Sequence, residues 1–210
     1  MPARAPIPRR HILRSLLATA ALAGCSSPSP RLYVLTPMPS NGNSIGSRGN
    51  RRSIGVQPVA MPEYLDRSEI VTYASVNELA ANRDDRWAER LPSNVTRVLA
   101  ENLSILLATD RAYVMPSRSG ERPDYEVNVE FERFERSASR ESVLDAQWTI
   151  HDGATRKVLV RDQTRLASRV PDNGYTSLVA AMNDSLTLLS RDIARAIASL
   201  PQKGGRRANS

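Results

Sequence analysis

Nucleophilic, acid–base and metal chemistry draws mostly on Cys, His and clustered carboxylates. In this 210-residue chain the first two are scarce, with one Cys and two His beside 22 Asp plus Glu. Cys25 and His11 lie in the first 25 residues, which leaves His151 as the only histidine of the remainder. It precedes Asp152-Gly153, a turn signal where an exposed polar side chain is ordinary. A single Cys excludes an internal disulfide and a multi-Cys zinc site. Glu126, Glu130, Glu132 and Glu135 carry enough charge to suggest calcium, yet the first three alternate with apolar residues and so describe the wet face of a strand. There is no Gly-rich phosphate loop. The expectation is a non-enzyme with no catalytic residue, no metal and no cofactor.

The chemistry that remains belongs to Cys25 and to where it stands. Residues 1–14 are basic and free of acid, and Ser15-Leu-Leu-Ala-Thr-Ala-Ala-Leu22 is apolar or small. A charged start, a short apolar run and small residues before a cut describe a secretory signal, and the run is far shorter than the ~20 residues that span a bilayer. Leu22-Ala23-Gly24-Cys25 resembles the bacterial lipobox, which implies cleavage before Cys25 and acylation of that residue. A sulfur so acylated is no nucleophile. Two or three acyl chains, at about 0.8 kcal/mol per buried CH₂, make a permanent anchor. Ser26-Ser27-Pro28-Ser29-Pro30 then reads as a polar tether without helix. Ser26 stands where an Asp would signal inner-membrane retention, which by analogy with Gram-negative sorting points to the periplasmic face of the outer membrane. Arg9-Arg10-His11-Ile12-Leu13-Arg14 loosely resembles a twin-arginine signal, so the general secretory and twin-arginine routes both stay open, the former favoured because no cofactor site is apparent.

The net charge of +7 does not indicate nucleic acid. Four arginines sit in residues 1–24 and three basic residues in 203–210, with no acid in either stretch; removing these seven from 29 leaves 22 basic against 22 acidic residues. The body is neutral, and phosphate binding would need a local excess.

The mature chain reads as one domain over residues 31–200, between the tether at 25–30 and a basic, disordered tail at 201–210. Strands are expected at Arg31–Thr36, Ile54–Val59, Glu69–Tyr73 and, briefly, Val76–Leu79, with a flexible Gly/Ser/Asn-rich loop over 37–52. Arg86–Thr109 reads as a helix whose regular part begins near Pro92, with Val95, Leu99, Leu103 and Leu106 on its buried face. Tyr113–Met115 is a further short strand. Tyr125, Val127, Val129 and Phe131, then Leu144, Ala146, Trp148 and Ile150, alternate with polar residues, and Lys157–Leu166 returns as the hairpin partner beyond Asp152-Gly153. Tyr175–Leu200 is a second helix striped by Leu178, Met182, Leu186, Leu189, Ile193 and Ile197. This order predicts an α+β fold, an antiparallel sheet with two amphipathic helices packed on one face. An exposed sheet edge beside the Pro-containing strand would be open to subunit contacts.

With these elements in place, Ile54-Gly-Val-Gln-Pro-Val59, Pro62-Glu-Tyr-Leu-Asp-Arg67, Glu69-Ile-Val71, Trp87-Ala-Glu-Arg-Leu91, Asp124-Tyr-Glu-Val127 and Leu144-Asp-Ala-Gln-Trp148 stand in an order and spacing that resemble the ABC-type transport auxiliary lipoproteins, the PqiC group. The resemblance runs over about residues 31–200. It implies a non-enzymatic outer-membrane lipoprotein facing the periplasm and partnering MCE-domain proteins, whose rings or tubes carry lipid between membranes. It also implies inner-membrane permease components that supply energy, a homo-oligomeric ring that receives the tube, and a contribution to membrane integrity. Tyr64, Asp66, Arg67 and Trp87 are the candidate partner or subunit contacts; the alternative reading makes Tyr64 and Trp87 core packing and Asp66-Arg67 local turn contacts. A lipoprotein scaffold for envelope or outer-membrane protein assembly, without lipid handling, is the competing function. A lipid-tethered hydrolase would need a site the chain does not show.

Overall fold

In a computed structural model of the chain, residues 29–40, 44–46, 51–117 and 120–202 are described. Ten elements follow one another: β1 (Arg31–Tyr33), β2 (Ile54–Val56), β3 (Glu69–Ser75), β4 (Glu78–Trp87), α1 (Leu91–Leu107), β5 (Ala112–Val114), β6 (Tyr125–Arg136), β7 (Glu141–Asp152), β8 (Val158–Arg169) and α2 (Tyr175–Ser199). The signal, Cys25 and the tail beyond Gln202 lie outside the described residues.

The α+β class holds. The sheet has eight strands and is mixed: the β3–β4, β6–β7 and β7–β8 ladders are antiparallel, as the hairpin signals predict, whereas β1 joins β4, and β2 joins both β5 and β6, in parallel. Long connections bring the short strands β1 and β2 to their partners, and a connection of that kind leaves no turn signal in the sequence. β6 is the axis. One edge carries β7 along its length, while the other is shared between β2 at its start, an Ala60–Glu130 bridge midway and β3 at its end.

The alternation in β6 persists from Tyr125 to Phe131 and then changes phase. Phe131 pairs with Ala146 and Arg133 with Asp145, so Glu132 is an extra residue, a β-bulge. The bulge returns Phe134 to the core, 5.3 Å from Phe131 between ring centroids. It also turns Arg133 and Glu135 to the opposite face.

Both helices cover the inner face of the sheet. In α1, Pro92 sits in the first turn, where its missing N–H is not needed, and Val95, Leu99, Leu103 and Leu106 are all buried. In α2, the six predicted stripe residues are all buried, each such side chain contributing about 1.5–3 kcal/mol of burial. The C-terminal end of α2 is tied back to the sheet by Tyr125, whose hydroxyl donates to the Pro201 carbonyl, and by Arg52, which donates to the Leu200 carbonyl at 2.7 Å.

One expectation needs correction. The helix begins at Leu91; Arg86 and Trp87 belong to the ten-residue strand β4, far longer than the Val76–Leu79 segment expected there. The described part of 37–52 is pinned to α1. Asn102 accepts from the Met38 N–H at 2.8 Å, and the Ile45 and Gly46 N–H groups donate to the Leu106 carbonyl. Gly46 lies so close to this helix that a Cβ would sit 2.1 Å from the Leu107 carbonyl oxygen.

Candidate partner-contact site

The segment 61–67 follows the Ala60–Glu130 bridge at the edge of β6 and lies at the bulged end of that strand, with Leu65 buried in the core. Hydrogen bonds from the Leu65 N–H to Pro62 O and from the Asp66 N–H to Glu63 O close its turn. Tyr64, half-buried, donates its hydroxyl to Glu135 Oε2 at 3.1 Å and meets the Tyr73 ring edge-on at 6.3 Å. The Glu135 carboxylate is enclosed. It also accepts from Arg133 Nε at 2.8 Å and from the Phe134 N–H at 2.8 Å, while the Arg133 guanidinium lies over Tyr73, 5.5 Å from its centroid. Such a carboxylate is fully paired and structural.

Burial first, and then the neighbouring Glu135 charge, push the Tyr64 phenol far above its ordinary value. The folded state therefore holds this proton more tightly than the unfolded chain does. Stability from this source is complete below the ordinary phenol value near 10 and is lost as pH rises beyond it. Tyr64→Phe should flatten the alkaline limb of the stability curve between about pH 10 and 12, read by urea unfolding at stepped pH. An unchanged slope would remove Tyr64 as its source.

The charged pair that follows is exposed. Arg90, at the N-terminal cap of α1, clamps the Asp66 carboxylate with both Nε, at 3.1 Å, and a terminal nitrogen. Arg67 pairs with Glu69 at 3.1 Å, and the Glu69 carboxyl is held below its ordinary range by its backbone hydrogen bond and by Arg67. Exposed pairs of this type contribute only about 0–1 kcal/mol each, so an approaching partner can exchange them at small cost. Trp87 is different: its side chain packs in the core, 6% exposed, while its backbone N–H donates to the Ser68 carbonyl at 2.7 Å. The four candidates are thus gathered at one end of the sheet, with Asp66 and Arg67 on the surface, Tyr64 beneath them and Trp87 inside. Cys25 lies outside the described residues.

One residue of this neighbourhood carries no signal in the sequence. Asp85, fully buried in β4, accepts from Arg31 at 2.8 Å, Tyr33 Oη at 2.9 Å and Asn82 Nδ2 at 2.8 Å. Two of those donors lie on β1, so this carboxylate fastens the strand nearest the tether to the body of the domain. Of the acidic set on β6, Glu130 and Glu132 are exposed, as the alternation predicts. Glu126 instead is covered, held by Arg156 at 3.1 Å and Gln57 at 3.3 Å. Among the described residues, no group of three or more His, Cys, Asp or Glu side chains is placed to hold a metal ion.

A family model described as "ABC-type transport auxiliary lipoprotein component" matches residues 33–194. The Escherichia coli (strain K12) protein named intermembrane transport lipoprotein PqiC is 26% identical over 188 residues, covering 88% of this chain and 96% of its own. The Shigella flexneri protein of the same name matches equally. Two crystal structures share the fold. One, of an uncharacterized protein, has a TM-score of 0.67 at 22% identity and covers 81% of this chain and 99% of its own. The other, from Xanthomonas campestris, has a TM-score of 0.62 at 14% identity and covers 79% and 90%.

Proposed function

The chain belongs to the family of ABC-type transport auxiliary lipoprotein components, and from that membership we propose that it is an intermembrane-transport lipoprotein held by Cys25 at the periplasmic face of the outer membrane. There it docks an MCE-domain conduit and aligns it with the membrane, and so contributes to membrane integrity, while inner-membrane permease components supply the energy. The observation that carries the reading is the family match over residues 33–194, nearly the whole domain that follows the lipobox and its tether. The role asked of the domain is to hold and to be held, and the exposed ion pairs at Asp66 and Arg67 offer a rim that a partner can engage. A ring of identical subunits would form through sheet edges: β5 and β8 each lack a second ladder partner among the described residues.

A crosslinked pull-down from envelope membranes, read by mass spectrometry, tests this. The wild-type chain should recover an MCE-domain protein, and Cys25→Ser should recover markedly less. Arg67→Ala, folded and anchored, should also recover less if this rim is the contact. Recovery of barrel-assembly or murein machinery without any MCE protein would replace the transport reading by the scaffold one.

A further inference from the structure

The β3–β4 hairpin leaves the sheet as a projecting arm. β3 pairs with β6 only at Thr72, and β4 pairs with β1 only from Asp85 onward, so beyond those points the two strands have no other ladder partner among the described residues. Every residue from Ala74 to Leu79 is exposed. Val76, at the turn, is 84% exposed and Leu79 is 43% exposed, two large apolar side chains held out to solvent beside Ser75, Asn77 and Glu78, and Glu78 is the only charge between Ala74 and Ala81. Exposed Arg83 follows at the base, beside Asp84, and exposed Arg31 lies opposite Asp85.

The direction of the arm relates it to the anchor. β1 runs parallel to β4 with Arg31 opposite Asp85, so β1 enters the sheet from the side on which β4 leads back to Glu78, the side of the arm. Residues 25–30 span at most about 20 Å. β4 bulges at the base of the arm, where Glu69 faces Arg86 but Val71 faces Ala81, so the reach is measured on β3, whose six residue steps from Glu69 to Ser75 extend about 20 Å at about 3.3 Å per residue. An acylated Cys25 therefore holds its bilayer within about the same reach as the arm.

We propose that the tip of this arm, Val76 with Leu79, rests in the interfacial layer of the membrane that holds the acyl chains, as a second, non-covalent contact. This rests on the reading of Cys25 as the lipid anchor. Acyl chains hold a protein on the bilayer without fixing how it stands. A tip that carries Val76 and Leu79 at the same level, with exposed Arg83 at its base for headgroup phosphates, fixes that orientation. The tip of a docking subunit then meets the membrane while the opposite end of the sheet, at the β7–β8 turn, faces away.

The test uses the full lipidated chain in vesicles of phosphatidylethanolamine and phosphatidylglycerol, with an environment-sensitive fluorophore on Val76→Cys or, at the far end of the sheet, on Ala154→Cys. The probe at 76 should shift to the blue and lose most of its emission to nitroxide-labelled lipids; the probe at 154 should do neither. Acylated protein that floats with the vesicles while position 76 stays unquenched overturns the arm contact alone. A probe at 76 shielded from aqueous iodide yet unquenched by lipid nitroxides overturns it in favour of packing against a second copy. Absence of acyl mass on Cys25 overturns the anchor, and the arm contact with it.

Discussion

Phe131→Ala should destabilise the domain by about 3–5 kcal/mol and lower Tm by on the order of 10 °C, measured by thermal and urea unfolding. Phe131 is buried at the centre of β6, opposite the small Ala146 of β7, with Phe134 5.3 Å away as its aromatic neighbour. Removing the ring leaves a cavity that cannot readily collapse, because Phe134 is held on its own side of the bulge by backbone pairing to Leu144. Val76→Ala, at an exposed turn, should stay within about 0.5 kcal/mol of the parent and serves as the comparison. A Phe131→Ala protein within about 1 kcal/mol of the parent would contradict the placement of that ring in the core.

Asp85→Ala is expected to cost about 2–3 kcal/mol, the range for losing hydrogen bonds to a buried charged group. The figure is kept low because Arg31, 68% exposed at its side chain, turns to water once its partner is gone, whereas Tyr33 and Asn82 are left with less. The more telling consequence is local. With the carboxylate removed, β1 retains only three residues of parallel ladder to β4, so hydrogen exchange at Tyr33 should accelerate far more than at the centre of β7. Uniform acceleration across both strands would show that Asp85 supports the whole fold and is not a fastening for the segment next to the tether.

The parts of this architecture that could be read in advance are those where one physical period runs uninterrupted. β7 alternates cleanly, and α2 repeats its stripe from Leu178 to Ile197, through about five turns. β4 could not be read that way. Glu-Leu-Ala-Ala-Asn-Arg-Asp-Asp-Arg-Trp has little β propensity and no alternation, and it is a strand because β3 and β1 flank it and Asp85 finds three donors. The β6 bulge left one visible sign, the three-residue spacing of Phe131 and Phe134, which no regular strand can bury on one face. The pinning of Leu35 and Met38 left another. Asn94 and Asn102 lie on the buried side of α1, and each binds the backbone of the segment after β1. Of the candidate contact residues, the pattern around Pro62–Arg67 located the segment; which of its side chains face outward depended on Glu135, seventy residues away in sequence and silent within it.

The arrangement of α2 bears on the order in which the protein can fold. Its six stripe residues, the last of them Ile197, complete the core over β6 and β7, and Arg52 and Tyr125 close on Leu200 and Pro201. On the general secretory route, a chain threaded through a membrane N-terminus first would expose the inner face of its sheet until α2 had emerged. Pairing of this kind, with partners such as Arg31 and Asp85 more than fifty residues apart, is slow to form because distant segments must be brought together before any contact offsets the loss of chain entropy. Such a chain cannot complete its core early and obstruct its own passage, and it depends on being kept from aggregation during the interval between emergence and closure.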